Sequence, residues 1–507
     1  MKHHRNISIL FYMAAILFAC GNIDFISDAW GDRLIDSRFG LNSIPMDHAY
    51  DKLVSEMPIG WAAMQPLVFW VHVEPKRGKY EFDNVDKIIL RLQELGIEPT
   101  ISLMPISPWG TPKGWQETEA RSFHLPFSDL PDGDNLTAWK ELCIAMAERY
   151  NHDGVNDMPG LKAPVNLWHL VQEWPTFFLG AGGLLGQSTQ AVERYKRLLE
   201  VTSAAIKSVN PNAKIILAGL DSQPLRLFAY ADGYIDDPDA GILFSKHHSR
   251  AELEHNAFFN QIRESFVRLI HSCAPISDMI DVHLYEERVN YLPGKLLWVK
   301  KRLAEAGVES KPIIATEGGA PFLVPPNGKW RMGDPAFGTY NPVEGAQAIV
   351  KTHVLGFAHG MARFQVGLVP AGSFQGQPSV WDGPWLVMAM LDETGKPKPA
   401  YYSYRFMSNA LAGFSSVKSI GAGDTQGYLF ETPRGKIAVA WNDKASSFIN
   451  LSEYFKEENL ETIPAPRDPG LPGIETHPAK VIPVSRTPVF AAAPGVLRKV
   501  LPENKNL

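Results

Sequence analysis

The stretch LWHLVQEWP, residues 167–175, holds the reading from which the fold follows. Leu167, Trp168, Leu170 and Val171 read as a buried strand, which then finishes on Gln172, Glu173 and Trp174. A short, nearly continuous apolar run is the pattern of a strand covered on both faces, as in a parallel sheet. A carboxylate at its end is either a solvated surface group or a working one, because chemistry concentrates in the loops that follow such strands.

Outward from this stretch, strand-like and helix-like runs alternate. The strand-like runs are 38–45, 61–70, 98–105, the opening stretch, 213–221, 279–285, 311–319 and 362–370. The helical runs between and after them include 83–96, 136–150, 188–209, 257–273, 295–307, 342–360 and 399–413. In the first of these, Val85, Ile88, Ile89, Leu92 and Leu95 recur three and four apart on one helical face, and Gly96 stops the helix. Eight strand–helix pairs joined by right-handed crossovers predict a (β/α)8 TIM barrel of the α/β class. The rival, an open doubly wound sheet, would carry a G-x-G-x-x-G after its first strand, and this chain has none.

Beyond residue 413 the texture changes to short strand-like runs separated by Gly, Pro, Asp and Asn. This predicts a C-terminal antiparallel β-sandwich, with ETIPAPRDPGLPG (461–473) as a Pro-rich loop inside it. The expected organisation is a leader over 1–20, a linker over 21–35, the barrel over 36–395, and the last barrel helix with the sandwich over 396–507.

At 507 residues and 45% hydrophobic, the chain can bury a large core. Its net charge of −6 argues against a nucleic-acid partner, which calls for a basic face. The first 20 residues, MKHHRNISILFYMAAILFAC, have a basic start at Lys2 and Arg5 and an apolar run from Ile7 to Ala19. That run is short of the ~20 apolar residues of a spanning helix, so it reads as a targeting segment. Its end, LFAC, resembles the lipobox of bacterial lipoproteins, which implies lipidation of Cys20. The protein is then expected to be exported and anchored in the bacterial cell envelope, touching the membrane only through its lipid. Cys143 and Cys273 lie in apolar helical patterns and are expected to be buried free thiols.

Barrel function collects where strands end, and these strand ends offer HLVQEW, HLYEER and ATEGG. Glu317 is followed by Gly318 and Gly319, which leave room for a ligand beside its carboxyl. Glu173 stands beside Trp174 and near Phe177 and Phe178. Apolar surroundings raise a carboxyl pKa and suit a proton donor, whereas an open carboxyl stays ionised and suits a nucleophile. Two carboxyls at one barrel mouth are what glycoside hydrolysis requires: one protonates the leaving oxygen, the other acts on the opposite face of the sugar.

The motifs then resemble those of the clan A glycoside hydrolases, chiefly family 39 with a likeness to family 42. WHLVQEWP resembles the strand-four motif and PIIATEGG the strand-seven motif. Residues 69–103 resemble the passage from strand two to strand three, DVHLY resembles strand six, and the β-domain resembles the accessory sandwich of family 39. The resemblance implies a retaining glycosidase with Glu173 as acid/base and Glu317 as nucleophile. It implies that Tyr285 supports the nucleophile and that Gln172, where the clan places Asn, contacts the sugar. His283, Trp109 and Trp174 are further substrate-binding candidates, and Trp70 and Trp115 have a similar claim as sugar platforms. Glu286 and Glu287 read as solvated loop acids, and 246–248, KHH, as an exposed loop.

No HExxH, CxxC or strand-one H-x-H suggests a metal, no G-x-S-x-G suggests a serine nucleophile, and the reaction needs no cofactor. The expected partner is an oligosaccharide or polysaccharide. The rival readings are a glycan-binding lipoprotein that keeps the barrel without turnover, and a barrel enzyme of another class such as a metal-dependent hydrolase.

Overall fold

The computed structural model describes residues 35–42, 44–111, 130–173, 189–243, 246–285, 288–319, 342–367, 390–392, 394–466, 473–478 and 480–501. Eight parallel strands close into a barrel: β1 (Asp36–Asn42), β2 in two pieces (Ile59–Ala63 and Leu67–Phe69), β3 (Glu98–Met104), β4 (Leu167–Leu170), β5 (Lys214–Leu220), β6 (Met279–Val282), β7 (Ile313–Ala315) and β8 (Met361–Gly367). Strand β8 pairs with β1, and both pieces of β2 pair with β3, so the sheet has no free edge. The chain is a (β/α)8 TIM barrel followed by an antiparallel β-sandwich.

The outer ring comprises α1 (Asp83–Glu94), α2 (Asp134–Arg149), α3 (Thr189–Val209), α4 (Ser222–Ala231), α5 (Ala257–Cys273), α6 (Leu292–Glu305), α7 (Pro342–Ala358) and α8 (Pro399–Leu411). Helix α1 buries Val85, Ile89 and Leu92 on one face, and Gly96 follows it in the left-handed conformation at φ 71°. Helix α4 has no counterpart among the predicted runs. It starts on Asp221, whose carboxylate caps Gln223 N at 2.9 Å, and Pro224 is tolerated because the first turn lacks acceptors for its N–H anyway. Cys143 and Cys273 are buried and unpaired. No helix among the described residues is long and apolar enough to cross a membrane.

The barrel interior has two zones. The lower is apolar: Trp61, Ala63, Leu167, Ile216 and Ile314 pack together. The upper is polar: Ser102, His169, Asp281, His283 and Thr316 are all fully buried. A polar layer inside a barrel is costly unless its members satisfy one another, so its composition is a functional signal.

After α8, strands β9 (Ser416–Ser419), β10 (Thr425–Thr432), β11 (Gly435–Asn442), β12 (Ser447–Asn450), β13 (Asn459–Pro464), β14 (Glu475–Pro478), β15 (Val481–Val484) and β16 (Val489–Ala492) build the sandwich. Six form a sheet in the order β9-β10-β11-β16-β13-β14, and β12 pairs with β15. One face of the six-stranded sheet buries Leu429, Ala438, Ala491 and Leu460 against Ile449 and Ile482 of that pair. The other face joins the barrel core, where Phe406 of α8 meets Phe490 edge-on at 5.0 Å. The predicted loop 461–473 is corrected at its start: Glu461–Pro464 belongs to β13, paired with β14 and β16. Pro464 is its last residue, where a missing N–H costs no ladder bond. Residues 246–247 form a short exposed hairpin with Ile242–Leu243 rather than a loop.

Candidate active site

Glu173, His283, Tyr285 and Glu317 converge at the C-terminal ends of β4, β6 and β7. Strand β4 stops at Leu170, three residues before Glu173. Val171 and Glu173 then adopt left-handed backbone at φ 63° and 45°. This conformation is strained for non-glycine residues, a β-branched valine above all, at about 1–3 kcal/mol each. Strict alternation would set Gln172 and Glu173 on opposite faces. The early strand end releases both from that rule: Glu173 reaches His283 of β6, and the Gln172 amide lies against Met64 Sδ in the break of β2.

Past their barrel pieces, β6 and β7 pair once more: Leu284 is in register with Gly318 and Tyr285 with Gly319. Leu284 N donates to the Glu317 carbonyl at 3.0 Å. That extension sets the Tyr285 phenol on Glu317 Oε2 at 2.6 Å. His283 Nδ1 lies 2.8 Å from Glu173 Oε1 and 3.4 Å from Glu317 Oε2. One ligand atom from each of Glu173, His283 and Glu317 falls within 4.8 Å of the other two.

Below them, Asp281 anchors the ring. Its Oδ1 accepts Thr316 N at 2.8 Å, and its Oδ2 accepts the Thr316 hydroxyl at 2.5 Å and faces His283 Nε2 at 3.2 Å. Gly219 of β5 makes space for the imidazole, since a β-carbon there would come 2.1 Å from His283 Nε2. The period-two run Met279, Asp281, His283 therefore carries two inward polar residues on an otherwise apolar strand.

Burial raises the Glu173 carboxyl, and repulsion from Asp221 adds to it. The hydrogen bond and charge of His283 oppose them, Glu317 adds further repulsion, and the result is a pKa pushed up to about 7. Burial alone would lower His283. The charges of Glu317 and Asp281 and its hydrogen bonds outweigh that and hold it well above its usual range, as an imidazolium. Burial would likewise raise Asp281, but His283 and His169 outweigh it and lower it. Burial and the charge of Glu317 raise the Tyr285 phenol, which keeps its proton. Burial raises Asp221 as well.

Of the predicted site residues, Glu173, Glu317, His283 and Tyr285 form one constellation, and Gln172 sits at its edge. Trp109 is engaged elsewhere: its indole N–H donates to the Glu74 carbonyl at 3.0 Å, and its ring meets Trp70 at 4.8 Å. Trp70 is fully buried against Trp139 and bonded to Glu74 Oε2 at 2.6 Å, so it is a core residue and not a sugar platform. Trp174, Trp115, Glu286, Glu287 and Cys20 lie outside the described residues. Asp221, Asp281, His169 and Gly219 were not singled out in the sequence. A polar residue at an inward position of an apolar strand is the signal that finds Asp281 and His169.

The Glu173, His283 and Glu317 set also has the donor types of a divalent-cation site, with Asp281 on the second ring nitrogen as in many metal-bound histidines. As it stands, the three groups are satisfied by one another and by Tyr285.

No family model matches the chain, and no curated protein resembles it in sequence. Solved structures do share its fold. A family 39 glycoside hydrolase from Bacteroides cellulosilyticus WH2 is 16% identical with a TM-score of 0.57, over 92% of this chain and 82% of that one. A glucosidase from Croceicoccus marinus is 11% identical with a TM-score of 0.51, over 91% and 96%. A family 39 enzyme from Xanthomonas axonopodis pv. citri is 12% identical with a TM-score of 0.50, over 91% and 94%. Barrel and sandwich together are thus an architecture that this chain shares with glycoside hydrolases.

Proposed function

We propose that the protein is a retaining glycoside hydrolase that cleaves a β-linked glycan or oligosaccharide by double displacement. The observation that carries this reading is the carboxyl pair, whose facing atoms lie within 4.8 Å across the barrel mouth. So close an approach of single oxygens is in keeping with the short carboxyl separation of the retaining class, about 5–5.5 Å. The two carboxyls also differ in the required sense. Glu173, raised to about 7, holds a proton near neutral pH. Glu317 Oε2 accepts the Tyr285 phenol proton in a 2.6 Å hydrogen bond, which holds the carboxyl in place to attack. The likeness of fold to solved glycoside hydrolases adds to the reading.

In the first step Glu317 attacks the anomeric carbon while Glu173 gives its proton to the departing glycosidic oxygen, leaving a glycosyl-enzyme ester. In the second, Glu173 takes a proton from water, the hydroxide oxygen attacks the anomeric carbon, and Glu317 leaves as carboxylate. His283 occupies Oε1 of Glu173 from Nδ1, so the transferable proton is left on Oε2.

The test is Glu317→Ala on an activated aryl β-glycoside. Hydrolysis should vanish, and azide should restore some turnover with an α-glycosyl azide as product. Full activity in that variant sinks the assignment, and sugar binding without turnover by the wild type favours the glycan-binding rival. The same reading keeps the protein as a lipoprotein, supported by LFAC at 17–20. Metabolic labelling with a fatty acid should be lost in Cys20→Ala.

A further inference from the structure

A chain of hydrogen bonds runs from the outer ring of helices to Glu317, through two residues that have no part in the chemistry above. Lys295, in the first turn of α6, donates from Nζ to Ser222 Oγ at 2.7 Å. Ser222, the first residue of α4, donates from that hydroxyl to the Tyr285 carbonyl at 2.9 Å. The Tyr285 phenol in turn donates to Glu317 Oε2 at 2.6 Å. Lys295 and Ser222 are both buried.

We propose that Lys295 and Ser222 are positioning residues for the nucleophile: they fix the main chain of Tyr285 and so aim its phenol at Glu317. The inference rests on the glycosidase reading for its effect on rate and on geometry for the chain itself.

The piece of strand that carries Tyr285 is short. Leu284–Tyr285 pairs with Gly318–Gly319, beyond the barrel wall. A ladder so short is weak by itself, and glycines offer no side chains to pack against it. Strand β6 lies between β5 and β7 in the barrel, and Ser222 follows β5. The Ser222 hydroxyl therefore holds the extension from the side opposite those glycines.

Ser222 is itself held. Asp221 caps Gln223 N at 2.9 Å and fixes where α4 starts. Lys295 reaches the hydroxyl because α6 begins hard against the chain that follows α4. A β-carbon on Gly294 would come 2.5 Å from the Ile235 side chain and 2.8 Å from the Tyr234 carbonyl oxygen. An ammonium group donates and never accepts, so Ser222 Oγ must accept from Lys295 and turn its own hydrogen to the Tyr285 carbonyl. A buried ammonium is a poor means of merely joining two helices, since an apolar side chain of like volume does so without the cost of lost water. What Lys295 adds is the donor.

The test uses Ser222→Ala and Lys295→Met in the full-length protein. On a phenyl β-glycoside each should lower kcat about tenfold, with KM within about twofold. In a Tyr285→Phe background, where no phenol is left to aim, either change should lower kcat less than about twofold further. Burial raises the Asp221 carboxyl and the Lys295 charge opposes that, so Lys295→Met alters a charge as well as the chain. Ser222→Ala alters the chain alone, and it carries the test should Lys295→Met fail to fold. Crystal structures read the cause without turnover: in Ser222→Ala the Tyr285–Glu317 hydrogen bond should lengthen past about 3.2 Å. Wild-type kcat in Ser222→Ala, equal losses with and without Tyr285→Phe, or an unmoved Tyr285–Glu317 bond overturns the proposal. An inactive wild type whose bond still opens in Ser222→Ala leaves the positioning chain standing and removes the glycosidase reading instead.

Discussion

The phenol of Tyr285 donates a 2.6 Å hydrogen bond to Oε2 of Glu317, across two strand extensions that pair only beyond the barrel wall. Tyr285→Phe removes that donor and leaves the packing of the ring in place. A charge-assisted bond of this kind is worth roughly 1.5–3 kcal/mol, so kcat/KM should fall about 10- to 100-fold. Circular dichroism should stay unchanged, and steady-state kinetics on an aryl glycoside measure the loss.

Glu173 must hold a proton to act as acid, and its pKa is pushed up to about 7. The acid form prevails below that value, so kcat/KM should be sustained on the acidic side and decline as pH rises through about 7. In Glu173→Gln that descending limb should vanish. A dinitrophenyl glycoside, whose leaving group needs no proton, should still release its phenol in a burst. A descending limb that persists unchanged in Glu173→Gln would assign it to another group.

Gly219 is the residue that lets His283 stand inside the barrel. Gly219→Ala drives a methyl group into the imidazole, and overpacking of this kind costs typically about 1–3 kcal/mol. The melting temperature should drop, and activity should drop further than stability, because His283 contacts both carboxyls. A variant with lowered melting temperature but full activity would show that the position of His283 is not critical.

Chelation separates the two-carboxylate chemistry from the metal-dependent rival. Glu173, His283 and Glu317 have atoms close enough to ligate one ion. With the carboxyls acting as acid and nucleophile, prolonged dialysis against a chelator should leave kcat unchanged. Activity lost on chelation and restored by zinc would replace the glycosidase mechanism with a hydrolase built on the same three residues.

Much of this protein was determined in the sequence, for local reasons. The eight alternating runs pointed to a parallel sheet because runs such as LWHL in β4 are apolar enough to be covered on both faces, and their number pointed to a barrel. Glu173 and Glu317 were legible because strand ends are where a barrel opens, and a carboxylate after an apolar run has few structural uses there. The tertiary structure decided what those acids meet. Closure brings Asp281 of β6 beside His169 of β4 and Thr316 beyond β7, contacts between residues 35 or more positions apart that no periodicity encodes. It also decided that Glu173 and Gln172 escape strand alternation, because the chain turns left-handed at Val171 once β4 has ended. Trp70 and Trp109 were ambiguous for a related reason: an indole suits a core and a sugar equally well, and only packing around Glu74 assigns Trp70 to the core and ties the Trp109 N–H to the loop. Sequence specifies which groups face the barrel mouth; the burial and charges that raise Glu173 arise from neighbours that only the closed barrel assembles.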